Sequence, residues 1–258
     1  SMGAGFLGAK YSPFVVNSDG RIRNLDIKID QRFYQRAYAL DAIETGFINQ
    51  RRGSMAKEHQ AILKEAFGVL TSSQMDALKV AGEPENIKER YGDNGFGKGC
   101  LMARRLVEAG VPFIEVNLGG WDNHQNIHPM LRDTKLPMLD QGMSALFEDL
   151  EQRGLIDDTV VIWMGEFSRT PRINQNAGRD HWARSWSVVV GGGGMNGGIS
   201  VGETNSDGTR VETEPHTSQD VMASVCKALG ISLGTTFTSN NGRPMKIANS
   251  GKIIKELF

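Results

Sequence analysis

Four stretches between residues 110 and 190 constrain the fold more than anything else in the sequence. Val111 to Leu118, following Gly110, is a short and mostly apolar run of the kind that forms a buried strand. Leu136, Leu139, Met143, Leu146, Phe147 and Leu150 then recur at spacings of three and four, which predicts an amphipathic helix over about 135–153. Pro137 falls in its first turn, where proline is tolerated, and Gly154 ends it. Thr159 to Met164 and Ser187 to Val190 are two further short apolar runs. Strand, helix and strand in this order predict a right-handed crossover between parallel strands. Segments 112–118, 159–164 and 186–190 are then neighbours in one sheet. The expected class is α/β, a parallel or mixed sheet flanked by helices.

The remaining chain is read around that sheet. Residues 1–30 are mixed, with one short extended candidate at Phe14-Val15-Val16. Residues 31–109 read as a helical layer covering the sheet. Leu40, Ile43, Phe47 and Ile48 form one stripe, Ile62, Phe67 and Leu70 a second, and Leu101, Leu106 and Val107 a third. A glycine-rich break, Gly92 to Gly99, precedes the third. After Gly191 an excursion of two strands is expected over Ile199 to Thr213, turning at Asn205-Ser206-Asp207-Gly208. Thr217 with Asp220 resembles a capping box opening a helix through Val221, Val225 and Leu229, ended by Gly230. Residues 231–258 carry little periodicity and read as an irregular tail. With 258 residues the chain suffices for one large core, so 1–258 is expected to be a single domain.

Composition excludes several classes. Twenty-nine basic against thirty acidic residues give a net charge of −1, without the clustered positive surface that nucleic acid requires. No apolar run approaches the roughly 20 residues that span a bilayer. Cys100 and Cys226 sit far apart in apolar helical stretches and read as small buried hydrophobes. The chain starts Ser1-Met2-Gly3, and a serine before methionine reads as the remnant of a cleaved tag.

Functional groups of an open parallel sheet collect in loops beyond the carboxyl ends of its strands. One such loop, Gly119-Gly120-Trp121-Asp122-Asn123-His124, offers Asp122 and His124, with His128 close behind. The next offers Glu166. A third group, Arg179-Asp180-His181-Trp182, has to fold back over the sheet by way of 167–180. Carboxylate oxygen mixed with imidazole nitrogen suits Zn, Mn or Fe, whereas all-oxygen sites suit Mg or Ca. Arg169 and Arg179 flank the same loops and are candidates to hold an anionic ester group through paired hydrogen bonds. Gly192-Gly193-Gly194-Met195-Asn196-Gly197 has the form G-x-G-x-x-G, but a hairpin follows it instead of a helix, so the phosphate-binding mechanism is missing.

Taken together, the stretch from Tyr91-Gly92 through Gly119-Gly120-Trp121-Asp122-Asn123-His124, then Gly165-Glu166-Phe167-Ser168-Arg169-Thr170-Pro171 and Gly178-Arg179-Asp180-His181-Trp182, resembles a bacterial family, the domain of unknown function 1501. The similarity runs over nearly the whole chain. It implies kinship with the alkaline-phosphatase-like superfamily, which includes sulfatases and phosphodiesterases, and members with twin-arginine export signals, hence a periplasmic or extracellular protein. It also implies two metals at the carboxyl edge of a parallel sheet. Carried over, Asp122 looks like the middle Asp of the first site and His124, or else His128, the histidine near it. His181 is similar to the late histidine, and Glu166 stands where an Asp-His pair would help hold a second ion.

The resemblance therefore implies a metal-dependent hydrolase of phosphate or sulfate esters, with a divalent ion (Zn, Mn or Ca) and a small-molecule or glycan ester as substrate. The departures are specific. Glu166 has no histidine beside it, and Cys100 is followed by Leu101-Met102-Ala103-Arg104 instead of the Pro-Ser-Arg of the sulfatase nucleophile motif. No early strand ending in a nucleophile is found before residue 110. The chain is thus expected to be a C-terminal portion of the full fold, inactive on simple esters and prone to self-association at a bare strand edge. The alternative is a catalytically degenerate relative serving as an extracytoplasmic binding or assembly domain.

Overall fold

A computed structural model of the protein describes residues 11–19, 30–50, 54–70, 72–239 and 242–258. Ser1-Met2-Gly3 and most of the mixed stretch 1–30 lie outside the described residues. Two compact units follow one another along the chain, Ser1–Asn117 and Leu118–Phe258.

The first unit is helical among its described residues. Asp30 caps α1 (Gln31–Asn49), its carboxylate accepting from Phe33 N at 3.0 Å, which satisfies one of the helix's orphan donors. Helix α2 (Ser54–Leu70) lies against it. Between them Gln60 donates to Asp41 (2.8 Å) and Thr45 (3.1 Å), and His59 meets Glu44. Phe33 and Phe67 add an edge-on ring pair at 5.1 Å. In the first expected stripe Leu40, Ile43 and Phe47 are all exposed. The side chain of Leu70, in the second expected stripe, lies outside what is described.

The unit's core forms farther on, where α3 (Glu85–Tyr91) and α4 (Gly95–Glu108) bury Tyr91, Phe96, Cys100, Leu101 and Met102. The glycine-rich break is a packing requirement. A Cβ on Gly97 would sit 1.9 Å from the Tyr91 carbonyl oxygen, so only glycine allows the two helices to meet so tightly. Arg104 is buried and paired with Glu83 and Glu108, each at 2.6 Å. Burial pushes the Glu83 carboxyl up, but hydrogen bonds from Arg104 and Arg105 outweigh it and hold the carboxyl below its ordinary range. Removing one partner of such a buried group strands the other without compensation.

The expected strand 112–118 is a correction: it forms no ladder among the described residues. Pro112 has no N–H to give. Ile114 and Val116 are half-buried while Phe113, Glu115 and Asn117 are exposed, Phe113 by 83%. The run therefore alternates at period two, as a half-covered segment does, and is not buried on both faces. Phe14-Val15-Val16 likewise pairs with nothing among the described residues.

The second unit holds the long helix where its periodicity predicts it. A short α5 (Ile127–Met130) runs through one π turn (Leu131–Lys135) into α6 (Leu136–Gln152), with Pro137 in the first turn. Leu139, Ala145, Leu146 and Leu150 form its buried stripe. Gly154, at φ 65°, closes it. Strand β1 (Val160–Trp163) follows, and its partner in the sheet is β4 (Val189–Gly192).

That pairing corrects a second expectation. β1 and β4 run antiparallel, Val160 opposite Gly192 and Trp163 opposite Val189, where parallel neighbours were predicted. Parallel strands need a crossover of a dozen or more residues, usually helical. Here α6 precedes β1, and the connection from β1 to β4 contains no helix; the chain folds back on itself. Within that connection β2 (Ser168–Arg169) pairs antiparallel with β3 (His181–Trp182). Among the described residues every ladder is two-stranded and antiparallel.

The excursion after Gly191 turns at Asn205–Gly208 as expected, with a bridge between Thr204 and Val211. Helix α7 (Ser218–Ala228) opens on the predicted capping box of Thr217 and Asp220. The tail is less irregular than its sequence suggests. It contains β5 (Thr236–Thr238) paired with β6 (Pro244–Lys246). It is then strapped to α7, Lys252 N donating to Asp220 Oδ1 (2.7 Å) and Ile254 N to Ser224 Oγ (2.9 Å), with Ile254 and Leu257 buried. Among the described residues no helix is long and apolar enough to cross a membrane.

Candidate metal centre

Two loops of the second unit build the site, and backbone pairing holds them together. Residues 123–127 lie along 174–179. Gln125 bridges Ala177, Asn126 N donates to Asn176 O (3.1 Å), Ile127 N to Ala177 O (2.9 Å) and Arg179 N to Asn123 O (3.1 Å). Gly178 makes this approach possible, because a Cβ there would fall 2.0 Å from the His124 carbonyl carbon. The β2–β3 pair sets Arg169 directly opposite His181. Residues 167–180 thus return, by hairpin and loop, to bring His181 beside Asp122.

The result is convergence on one carboxylate oxygen. His124 Nε2 and His181 Nε2 each lie 3.0 Å from Asp122 Oδ1, and Arg169 Nη1 also donates to that atom. One ligand atom each from Asp122, His124 and His181 lies within 4.8 Å of the others. Ligands about 2.1 Å from a single ion are at most about 4.2 Å apart, so a modest contraction closes the group around a cation. The hydrogen bond from His181, then that from Arg169, hold the Asp122 carboxyl down at about 2. Asp180 accepts at His124 Nδ1 (2.8 Å) and keeps the imidazole protonated to higher pH than usual. The two histidine rings lie 5.1 Å apart, and Phe167 packs 4.9 Å from His181.

The other expected residues divide. His128 sits exposed on α5, outside the group, and of the two histidines near Asp122 it is His124 that approaches. Glu166 is exposed and 3.7 Å from Arg169 Nη2, also outside the group. Arg179 gives Nη1 to the carbonyls of Thr170 (2.6 Å) and Pro171 (2.8 Å), so that donor braces a loop. Arg169 faces the cluster and also borders a cavity of about 830 Å³ whose lining includes Trp182, Trp186, Glu214 and His216. Asp180 and Asn174 were not among the candidates read from sequence. Asp180 stands beside His181 in a motif that was, so its chemistry was visible; Asn174 carried no signal.

One carboxylate and two imidazoles are a donor set that suits zinc or a similar divalent ion, and three protein ligands leave a coordination position free. A family model matches the chain over residues 1–258, and its description is Protein of unknown function (DUF1501). No curated protein and no solved structure matches the chain.

Proposed function

We propose, from the premise that the chain belongs to the DUF1501 family, that it is a metal-dependent hydrolase of phosphate or sulfate esters with an alkaline-phosphatase-like ancestry. The observation that carries the reading is the convergence of Asp122, His124 and His181. Their oxygen and two nitrogens would hold one divalent ion, Zn, Mn or Ca. Such an ion supplies Lewis acidity to an ester oxygen and brings the pKa of a bound water into the neutral range. Arg169, now on Asp122, would turn to the anionic group of an ester at the same point, and the adjoining cavity would take the organic part, a small molecule or glycan. Glu166, 3.7 Å from Arg169 Nη2, would be available to a second ion only after leaving Arg169. In this reading the protein works outside the cytoplasm, as the family resemblance implies.

A second reading is favoured by the lack of a histidine beside Glu166: a relative that has lost catalysis and serves as an extracytoplasmic binding or assembly domain, with self-association as its simplest form. The two are separated by metal analysis with an aryl-phosphate and aryl-sulfate assay, run with Zn, Mn and Ca on the chain and on any upstream sequence its gene encodes. One ion per chain, lost in His181→Ala, with turnover lost in parallel, is the expected result. Absence of turnover, with or without bound metal, refutes the first reading and leaves the second.

A further inference from the structure

The imidazole of His124 touches a carboxylate through each of its nitrogens, Asp180 Oδ1 at Nδ1 (2.8 Å) and Asp122 Oδ1 at Nε2 (3.0 Å). A neutral imidazole carries one proton and can satisfy only one of them as a donor. The two acceptors are unequally served. Asp122 Oδ1 already receives His181 and Arg169, a full positive charge among them. Among the described residues Asp180 Oδ1 receives, besides His124, only the Asn174 amide at 3.1 Å. The carboxylate in greater need of the proton is Asp180.

Asp180 is also the better anchored of the two. Its N–H donates to Thr170 Oγ1 (3.1 Å) and its carbonyl accepts from Thr170 N (2.8 Å). Asn174 ties both ends of the contact, since its Nδ2 reaches Asp180 Oδ1 and the His124 carbonyl, each at 3.1 Å. Its own Oδ1 is fixed by the N–H groups of Asn176 and Gly178, each at 2.9 Å.

We propose that Asp180, braced by Asn174, is a positioning residue that holds His124 in the Nδ1–H tautomer, so that the Nε2 lone pair faces the point shared with Asp122 and His181. A histidine that ligates through one nitrogen and donates the other N–H to a carboxylate is both oriented and made more basic. The purpose of the arrangement rests on the metal reading above; its existence does not, because the tautomer is a property of the metal-free chain.

The test is long-range ¹⁵N–¹H correlation of the His124 ring in the metal-free chain at alkaline pH, beside a zinc titration. The wild type is expected to show Nδ1–H. Asp180→Ala loses that preference and binds zinc about 10- to 100-fold more weakly, with the thermal midpoint checking that the fold persists. Asp180→Asn, whose amide oxygen still accepts, recovers most of both. Nε2–H in the wild type, or a tautomer indifferent to Asp180→Ala, overturns the proposal. So does an Asp180→Asn variant that loses zinc as fully as Asp180→Ala with its tautomer unchanged, for Asp180 would then be a ligand itself. A wild type that binds no zinc defeats the metal reading, and the tautomer still decides the role of Asp180.

Discussion

Gly178→Ala should damage the site more than the fold. The added Cβ would lie 2.0 Å from His124 C, 2.1 Å from His124 O and 2.4 Å from Gln125 N, all backbone atoms that no rotamer change can move. Ordinary contact begins at 3.4 Å, so the loops must part by about 1.4 Å at that point. The backbone bonds from Ile127 N to Ala177 O and from Arg179 N to Asn123 O lie within two residues of the clash and would lengthen with it. Overpacking of this kind costs about 1–3 kcal/mol in stability. The displacement carries His124 away from Asp180 and His181 on the facing segment, and misplacement near 1 Å is enough to cost on the order of a hundredfold where several groups must meet at one point. Gly165→Ala is the matched control, since its nearest atom would be Phe167 O at 3.8 Å. The assay is zinc titration with thermal unfolding of both variants. Gly178→Ala with wild-type zinc affinity and an unchanged midpoint would refute the claim that this close approach builds the site.

Arg169→Gln removes a cation that competes with any metal for Asp122 Oδ1, so zinc affinity should rise. Because the Asp122 side chain is 60% exposed, the gain should stay at roughly two- to fivefold, and a fall on titration would mean that Arg169 serves to orient the carboxylate. The Asp220 carboxyl is held at about 2 by the N–H groups of Lys252 and Thr217 and by the Thr217 hydroxyl. A lowered native value stabilises above the ordinary carboxyl range and is lost as pH falls from about 4 to about 2, so Asp220→Asn should flatten that limb of an acid-unfolding curve. Leu150→Ala, at a side chain 1% exposed in α6, should cost about 2–5 kcal/mol in urea unfolding and leave zinc affinity unchanged.

What the sequence reveals of this chain is what its local chemistry dictates. The helix at 136–152, the capping box at Thr217 and Asp220, and the turn at 205–208 are written in residues within a turn or two of one another. Strand partners are not, because pairing is settled by distant segments. Val111 to Leu118 and Val160 to Trp163 look alike as apolar runs, yet among the described residues only the second finds a ladder. The strands of the tail escape notice for the same reason: Phe237 and Met245 pair between strands too short for periodicity to show. In the site, Asp122, His124 and His181 could be picked out by ligand chemistry and loop position. The roles of Arg169 and Arg179 could not be told apart, since both are cations in one loop and only the fold gives one a carboxylate and the other two carbonyls.

The long reach of the cluster bears on when it forms. His124 and Asp180 are 56 positions apart, and His181 and Asp122 are 59, whereas α6 and α7 each close on contacts four residues away. Entropy must be spent on closing those long loops before their contacts return anything. The cluster should therefore be among the last features to assemble and the first to open. A cation bound there would act on the native state more than on the folding transition state, slowing the chain's escape from the native state while leaving its rate of arrival nearly unchanged.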